Sequence, residues 1–344
     1  MPLSNEIFLE TLRCPKCHGQ LNAERDATEG SSYQCFACNE SFPIIRGIPR
    51  LLTSPLREAL LDNNNLAGSD DVQIKTALSF GYEWLHFSEM YEEWNQTFLS
   101  YMQPHQPEFF AGKKVLDAGC GNGRFAYYAA KYGAEVWAMD LGPAVEAAQK
   151  NLSGMDNVHL IQADLHDPPF SFETFDFIYS IGVLHHLPDP ERAFQKLLHY
   201  LKPGGEAQIY LYWKPEDQPI KAGLLSIVTA LRRVTTRLPH SVVYALAYPA
   251  SLAAFVLFVW PYRLLKRLRI LEGFAGKIPM KQYAYYPFRV CVNDQLDRFS
   301  APLENRYTKQ EVLDWLVRAD LQNPVVNAAY GWVGTGRKRA AAAA

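Results

Sequence analysis

The stretch KKVLDAGCGNGRF, Lys113 to Phe125, decides the fold of this chain of 344 residues. Its VLDA segment predicts a short buried β-strand, and a glycine-rich turn follows. The next residues, FAYYAAKY, predict a helix that stops at Gly133. Gly119, Gly121 and Gly123 allow the backbone to approach a ligand closely, in front of the N-terminus of that helix.

The spacing of these glycines argues against a nicotinamide dinucleotide as the ligand. The dinucleotide fingerprint G-x-G-x-x-G needs its last glycine at the position that Arg124 occupies. The GK[ST] signature of a phosphate-binding P-loop is also absent from the sequence. The glycines therefore serve close approach to a ligand, or turn geometry alone.

Four further strands are predicted after this loop. They are EVWAMD, ending at Asp140, VHLIQAD, ending at Asp164, FDFIYSIGVLHHL, from Phe175 to Leu187, and EAQIYLYW, which follows LKPGG. Between the last two, Asp189 as N-cap and Pro190 at the first helical position start a helix that is expected to reach Tyr200. Because strands alternate with helices, we expect a doubly wound, mostly parallel α/β sheet that binds ligands at the carboxyl ends of its strands.

Taken together and in this order, VLDAGCGNGRF, Asp140, QADLHD, FDFIYSIGVLHHLPDP and LKPGG resemble the motifs of class I S-adenosylmethionine-dependent methyltransferases. The ubiquinone/menaquinone-methyltransferase-like branch is the most similar. The resemblance covers roughly residues 108 to 213 and implies a Rossmann-like methyltransferase fold. The C-terminal segment adds the last helix and strand pair of that fold, and Thr308 with Glu311 predicts a capping box for the helix.

The resemblance implies S-adenosyl-L-methionine as cofactor and gives roles to particular residues. Asp140 would hold the ribose hydroxyls, a role that suits a carboxylate about 20 residues after the glycine loop. The remaining cofactor-binding positions are Gly119, Gly121 and Gly123 for methionine and ribose, Asp117 for the amino-acid end, Asp164 and Leu165 for adenine, and Gly182 beside the cofactor. Helix capping is the alternative role for Asp164.

Histidines and aromatic residues are the candidates for catalysis and acceptor binding. His185 and His186 lie at the end of the predicted fourth strand, where either can take a proton near neutral pH, or where the pair orders the loop. The aromatic candidates for the acceptor pocket are Tyr82, Trp84, Tyr212 and Trp213, with packing in the core as the alternative.

The N-terminal segment has the cysteine spacing of a structural zinc site. Cys14, Cys17, Cys35 and Cys38 form the pattern C-x2-C-x17-C-x2-C, which supplies four thiolates to a closed tetrahedral site. His18 is a competing ligand, and four free thiols are the alternative. Residues 7 to 53 resemble the small zinc-ribbon activator subunits of methyltransferases that act on tRNA and release factors, which implies a structural or docking role.

The near-neutral net charge of −2 hides a basic, apolar segment. Between Asp217 and Asp294 the chain has eleven basic residues and one acidic residue, a net charge of +10 against −12 for the remainder. LLSIVTALRRV and RLLKRLRIL within it predict basic amphipathic helices, which suit an anionic membrane surface.

Between those two helices lies SVVYALAYPASLAAFVLFVWPY, Ser241 to Tyr262, which has no charged residue. It is long enough to span a membrane. However, both of its flanks are basic, and Pro249 interrupts it. We therefore expect an interfacial or re-entrant helical hairpin, with peripheral membrane contact through residues 220–272. The alternatives are a lid, a contact in a homodimer, and a true span.

Five segments are expected: a zinc ribbon (1–55), a flexible linker with N-terminal lid or packing helices (56–107), the cofactor-binding core (108–213), a basic, hydrophobic helical insert (214–303), and a C-terminal helix with strands (304–339). No signal peptide is predicted, and paired CxxC motifs suit a reducing compartment, so the expected location is cytoplasmic, peripheral on the inner membrane face.

The function expected from these features is methylation, at oxygen or carbon, of a small hydrophobic or lipid-linked acceptor. An rRNA or tRNA methyltransferase with a zinc-ribbon recognition module is the alternative enzyme, although the basic residues are interleaved with apolar runs and nucleic acid is not the expected partner. A cofactor-binding scaffold or activator is the alternative without catalysis.

Overall fold

A computed structural model describes residues 6–26, 30–61, 71–216, 218–268, 272–275 and 278–340. Most of the predicted flexible linker from Leu60 to Asp71, and the last four alanines, lie outside the described residues.

The described residues contain eleven strands in one sheet, in the order β1-β2-β3-β4-β7-β6-β5-β8-β9-β11-β10. The six central strands, in the order β4-β7-β6-β5-β8-β9, pair in parallel with one another. The outer strands pair antiparallel: β1, β2 and β3 extend the sheet beyond β4, and β11 and β10 extend it beyond β9. The strands are β1 Asn22–Asp26, β2 Gly30–Cys35, β3 Glu40–Ile45, β4 Ile48–Leu51, β5 Lys114–Ala118, β6 Glu135–Asp140, β7 Val158–Ala163, β8 Phe175–Ile181, β9 Leu201–Leu211, β10 Gln322–Ala328 and β11 Trp332–Arg337.

Helices connect the strands and cover the sheet. They are α1 Glu6–Thr11, α2 Leu56–Leu61, α3 Val72–His86, α4 Glu93–Met102, α5 Arg124–Lys131, α6 Ala144–Asn151, α7 Pro190–Leu197, α8 Pro219–Thr235, α9 His240–Ala254, α10 Trp260–Leu268, α11 Glu272–Ala275, α12 Phe288–Ser300 and α13 Lys309–Arg318. The expected capping box of α13 is present, because Thr308 Oγ1 accepts from the Glu311 amide and Glu311 returns a bond to the Thr308 amide.

The expected Rossmann-like methyltransferase fold is confirmed by this parallel centre. Strands β5 to β8 are almost continuously buried, as expected for strands covered on both faces. The strand order reverses between β5 and β8, and ligands of doubly wound sheets bind at the carboxyl ends of the strands near such a point.

Three predicted boundaries in this region are wrong. Strand β8 ends at Ile181 rather than at Leu187, because Gly182 turns the backbone with a φ of 77° and a 3-10 turn follows. Helix α7 ends at Leu197 rather than at Tyr200. The LKPGG segment, expected as a turn, already belongs to β9, and the pairing with β8 shifts register there.

The zinc-ribbon segment joins the central sheet through β4. Arg50 and Leu51 of β4 pair in parallel with Gln162 and Ala163 of β7. The Arg50 side chain is buried, and its guanidinium donates to Gln162 Oε1 at 2.9 Å and to Glu146 Oε1 at 2.5 Å. The ribbon therefore extends the central sheet by backbone pairing and a partly buried ion pair.

Apolar packing continues across the same junction. Phe8 stacks on Trp137 of β6 with ring centroids 4.9 Å apart. Tyr33 and Phe42 of the ribbon belong to the buried cluster that contains Trp137 and Phe170. Burial of this surface makes the ribbon and the central sheet share one hydrophobic core.

Residues Met1–Gln218 and Leu303–Ala344 form one compact unit, and Pro219–Pro302 form a second. The second unit is helical. In it, α12 packs against α8 and α9. Arg232 of α8 donates through Nε to the carbonyl of Arg298 at 2.8 Å.

The expected hairpin within residues 241–262 is wrong. The chain is helical from His240 to Leu268, through Pro249 and a π-helical segment, Phe255–Val259, that joins α9 to α10. Proline removes one backbone hydrogen bond, but Ala247 and Ser251, one on each side of Pro249, are buried in the unit and hold the helix in place. This helix is long and apolar enough to cross a membrane.

Candidate functional site

Two glycine positions in the loop after β5 have no room for a side chain. Gly119 has a φ of 92°, and a Cβ atom there would lie 2.4 Å from Val183 Cγ2. Gly121 has a φ of 54°, and a Cβ atom there would lie 2.9 Å from Trp84 Nε1. The loop therefore passes close under side chains from two other segments, which leaves backbone amides rather than side chains to line the site.

Asp140 connects the loop after β5 with the loop after β6. Its Oδ2 accepts from the Gly121 amide at 2.9 Å, and its Oδ1 accepts from the Gly142 amide at 2.9 Å. Burial raises the pKa of this carboxyl group, and the amide hydrogen bonds partly offset that effect. The carboxylate is thus held in one orientation at the carboxyl end of β6.

Asp117, near the end of β5, is almost fully buried. Its Oδ2 accepts from the Tyr179 hydroxyl at 3.0 Å. Burial raises the pKa of Asp117 to about 7, and the hydrogen bond from Tyr179 opposes that rise. A cation placed beside Asp117 would favour the ionised form.

Asp164, just after β7, accepts three hydrogen bonds on the same oxygen. The donors to Oδ1 are Gln73 Nε2 at 2.8 Å, the His166 amide at 3.0 Å and His166 Nδ1 at 3.1 Å. Burial would raise the pKa of this carboxyl group, but the bonds from His166 and Gln73 outweigh burial and lower it. The His166 amide lies in a turn rather than in a helix, so Asp164 does not cap a helix. Leu165 beside it is buried.

The segment after β8 brings Gly182 and the two histidines to the same edge of the sheet. A Cβ atom at Gly182 would meet nothing within 4 Å. His185 and His186 are both buried, with ring centroids 4.2 Å apart. The carbonyl of Leu303 lies 2.6 Å from His186 Nδ1, which fixes this ring as the donor.

The side chain of His185 has fewer hydrogen-bond partners than that of His186. Among the described residues, neither of its ring nitrogens has a hydrogen-bond partner. Its ring lies 3.9 Å from that of Tyr212, measured between centroids. Burial holds the pKa of His185 well below its usual value, so the imidazole is neutral at pH 7.

The four predicted aromatic residues lie in different surroundings. Trp84 covers Gly121, and Tyr212 packs on His185. Tyr82 instead stacks on His86 of its own helix, at 4.0 Å between centroids. Trp213 lines a cavity of about 400 Å³ together with residues of α13. The structure therefore brings Trp84 and Tyr212 to the predicted cofactor and histidine positions, and Tyr82 and Trp213 to others.

Helix α3 supplies residues that the sequence analysis did not single out. Gln73 bonds Asp164, and the Phe80 ring lies 4.7 Å from that of His186. Together with Trp84 these side chains occupy positions 73, 80 and 84, a helical spacing that places them on one face. Their common periodicity is the signal that could have identified them.

Arg124, at the start of α5, contacts both α3 and α4. Its guanidinium lies 4.6 Å from the ring centroids of both Trp84 of α3 and Trp94 of α4. Such stacking of a cation between two rings favours a fixed position for both helices. Arg124, which distinguishes this loop from a dinucleotide fingerprint, thus has a packing role.

The four predicted metal ligands meet in the ribbon. The sulfur atoms of Cys14, Cys17, Cys35 and Cys38 all lie within 4.8 Å of one another. The Cys14–Cys38 and Cys17–Cys35 sulfur pairs are 3.6 Å and 3.5 Å apart. A zinc ion with four thiolates at about 2.3 Å gives sulfur–sulfur edges of about 3.8 Å.

His18 does not compete for this cluster. Its ring stacks on Phe172 at 5.5 Å between centroids. His18 and Asn39, which follow the two CxxC pairs, both have φ near 60°. These turns point the cysteines of each pair toward a common centre.

Comparison with known proteins agrees with this geometry. Residues 116–209 match the family described as methyltransferase domain, and residues 5–47 match the family described as Trm112p-like protein. The chain carries a methyltransferase domain. A Trm112p-like zinc-ribbon domain precedes it.

Individual relatives are similar over parts of their length. A ubiquinone biosynthesis O-methyltransferase of Coxiella burnetii is 29% identical over 42% of this chain and 65% of its own. A demethylmenaquinone methyltransferase of Clavibacter sepedonicus is 32% identical over 33% of this chain and 46% of its own. A solved S-adenosylmethionine-dependent methyltransferase from Aquifex aeolicus is 15% identical, covering 75% of this chain and 96% of its own, with a TM-score of 0.40. The chain spans less than two thirds of these curated relatives.

Proposed function

We propose that the protein transfers a methyl group from S-adenosyl-L-methionine to a small hydrophobic or lipid-linked acceptor, at oxygen or carbon. The observation that carries this proposal is the pair of carboxylates, Asp117 and Asp140, fixed at the glycine loop of a methyltransferase domain.

The charge of the site suits the proposed cofactor. S-adenosylmethionine has no phosphate, and its sulfonium and amino groups are positive, so it favours carboxylates over lysine. Asp140 would hold the ribose hydroxyls, and Asp117 the amino group. Asp164, Leu165 and Gly182 would border the adenine and the sulfonium side. When bound, the cofactor supplies an electrophilic methyl group, and alignment with the acceptor supplies much of the rate.

We propose His185 as the general base for a protonated acceptor and His186 as a positioning residue. His185 is neutral and has no hydrogen-bond partner among the described residues, whereas His186 donates to the Leu303 carbonyl. A buried polar group without a partner costs stability, so an acceptor hydroxyl that bonds His185 would relieve that cost. Trp84 and Tyr212 would line the acceptor side, whereas Tyr82 and Trp213 lie in other surroundings and are not part of this proposal.

The acceptor class is supported by the names of the relatives. The curated proteins that match include a ubiquinone biosynthesis O-methyltransferase and a demethylmenaquinone methyltransferase. A polyprenylated acceptor resides in a membrane, so we propose that the protein works in the cytoplasm, at the inner face of the membrane. The four-cysteine cluster would bind one structural zinc ion and take no part in the chemistry.

Methyl-labelled S-adenosylmethionine tests the proposal. The purified protein is incubated with lipid extracts, polar metabolites or RNA from the source cells, and the label is followed into each fraction. The proposal predicts label in the lipid fraction. Label that enters only RNA would support the alternative of a nucleic-acid methyltransferase, and no transfer to any fraction would support a scaffold without turnover.

Two histidine variants separate the proposed roles. His185→Gln should lower kcat by about 10²–10⁴ for an acceptor that must lose a proton, because the base is lost. Its cofactor affinity should stay within about twofold of wild type. His186→Gln should mainly lower thermal stability. Equal kcat in wild type and His185→Gln would contradict the base role.

A further inference from the structure

The long helix of the second unit exposes many of its large apolar residues. Its buried positions are the small residues Ala247, Ser251 and Ala254, together with Val243, Phe255 and Val259. Large apolar side chains are exposed along its length, with Leu257 at 64% and Trp260 at 53%. The other exposed large apolar residues of this helix are Val242, Leu246, Tyr248, Leu252, Val256, Leu264 and Leu268. A helix that meets only water normally has the opposite distribution.

Helix α8 adds a second apolar row to the same unit. Ile227, Leu231 and Val234 are each more than half exposed and lie three or four residues apart. Leu238 follows just beyond the helix and is also exposed. We call the exposed apolar residues of α8, α9 and α10, with the π-helical segment between the last two, the apolar face. An exposed apolar area of this extent is unusual for a soluble protein and marks a contact surface.

The charge of the unit favours an anionic partner. Residues 219–302 contain twelve basic and three acidic residues, a net charge of +9, whereas the rest of the chain has −11. On α10 the exposed Arg263, Lys266 and Arg267 border the exposed Leu264 and Leu268. Apolar side chains bordered by cations fit the boundary between acyl chains and phosphate headgroups.

The helix that packs against the long helix argues against a true membrane span. Helix α12 packs against α9 and carries Asp294, Asp297 and Arg298, which are partly exposed. A spanning helix would draw these charged residues into the hydrocarbon layer, where charged side chains are strongly disfavoured. A helix that lies in the plane of the membrane leaves α12 in water.

We infer that the apolar face docks on an anionic bilayer surface, with the helix from His240 to Leu268 lying in the headgroup–acyl boundary and α12 on its aqueous side. Leu252, Val256 and Leu257 enter the acyl region, and Arg263, Lys266 and Arg267 contact lipid phosphates. This docking is independent of the identity of the methyl acceptor.

Vesicle sedimentation of the full-length protein tests this inference. One set of vesicles contains phosphatidylcholine alone, and a second set contains about one third phosphatidylglycerol as the anionic lipid. The wild-type protein should bind the anionic vesicles at least tenfold more tightly than the neutral ones, an order-of-magnitude expectation for several surface cations. Leu257→Glu with Leu264→Glu should reduce binding to the anionic vesicles by at least about tenfold.

Val317→Glu on α13 is the matched control, because Val317 is 58% exposed and lies in the other unit. It should bind like wild type. Arg267→Glu should weaken binding to anionic vesicles only. Each variant must show the thermal unfolding transition of wild type. Since the replaced residues are exposed, the expected loss of binding does not come from misfolding.

Three results would overturn the inference. One is wild-type protein that stays in the supernatant with both kinds of vesicle. Another is a wild-type dimer that ignores vesicles and dissociates on Leu257→Glu, which would assign the apolar face to a second copy. The third is bound protein that resists alkaline carbonate extraction, which would assign the helix to a true span.

Discussion

At the scale of single residues, two buried carboxylates of the site differ in protonation. Hydrogen bonds from His166 and Gln73 keep Asp164 ionised, while Asp117 has a pKa of about 7 because it is buried. The free site therefore retains a proton that a cationic ligand can displace.

Cofactor binding should release a proton from Asp117. An isolated aspartate has a pKa of 3.8, whereas Asp117 holds its proton up to about pH 7, so the free protein binds more protons in this window. The cofactor's amino group pairs with the ionised form, so affinity should rise as pH increases toward 7 and level off above it. Calorimetry near pH 6.5 in two buffers of different ionisation enthalpy measures the released protons.

The matched variant for this measurement is Asp117→Asn, which keeps the shape and cannot ionise. It should bind more weakly and release fewer protons. The role of Asp117 would be contradicted if the binding enthalpy of the wild-type protein were the same in both buffers and its affinity did not change between about pH 6 and pH 8.

Residue identities at the site could be predicted better than residue contacts. Asp117, Asp140 and Asp164 were accessible from sequence because each ends or follows a short apolar strand. The side-chain partners Gln73 and Tyr179 were not, because they come from segments 91 and 62 residues away, and no local pattern specifies such pairings. The unequal environments of His185 and His186 depend on tertiary packing in the same way.

At the scale of elements, α3 lies across the carboxyl ends of the strands. Gln73 reaches the end of β7, Gly81 packs on Pro143 after β6, and Trp84 covers the loop after β5. A bound cofactor would have to pass or displace this helix. Of the two expectations for these N-terminal residues, a lid is therefore the one that we carry forward as a proposal.

Trp84→Ala should speed dissociation of S-adenosylmethionine by about tenfold or more, because it removes the ring above Gly121 and one partner of Arg124. Stopped-flow measurement of cofactor release checks this. Leu85→Ala changes an exposed residue of the same helix and serves as control. Equal release rates for wild type and Trp84→Ala would exclude a lid role for this residue.

Apolar periodicity predicted which segments form strands and helices, but it did not predict where every strand ends or whether a helix continues through a proline. The five central strands and the amphipathic helices α8 and α10 were predicted from apolar spacing. The end of β8 was not, because Val183, Leu184 and Leu187 continue the apolar pattern beyond the strand. Continuity of the helix through Pro249 was also missed, since packing of Ala247 and Ser251 outweighs the hydrogen bond that proline removes.

At the scale of the whole molecule, the zinc ribbon is not an independent appendage. Strand β4 extends the central sheet, the buried Arg50 forms an ion pair with Glu146, and Phe8 packs on Trp137. The cysteine spacing predicted the ribbon, whereas this junction joins positions about 100 residues apart and has no local sequence signal. Stability of the ribbon should therefore be coupled to that of the cofactor-binding core.

Removal of zinc should destabilise the methyltransferase domain. In differential scanning calorimetry, the unfolding transition of this domain is the one whose midpoint temperature rises when S-adenosylmethionine is added, because ligand binding stabilises the fold that binds it. Chelation of zinc should lower the midpoint temperature of that transition by about 10 °C or more, since a structural zinc site contributes several kcal/mol to the free energy of unfolding. Cys17→Ser should reproduce the effect, while Cys291→Ala, outside the cluster, should retain one zinc ion per chain. A transition unmoved by chelation would show that the ribbon and the core unfold separately.

Titration with S-adenosylmethionine, followed by calorimetry, is the measurement that tests the account most directly. The wild-type protein should bind one molecule per chain and should not bind NAD⁺. Asp140→Asn should weaken binding by about 10- to 100-fold, because it removes the charge that accepts from Gly121 and Gly142 and would accept from the ribose. Asp156→Asn, on the exposed turn before β7, should bind like wild type. Absence of binding, or an affinity of Asp140→Asn equal to that of wild type, would contradict the assignment of this site.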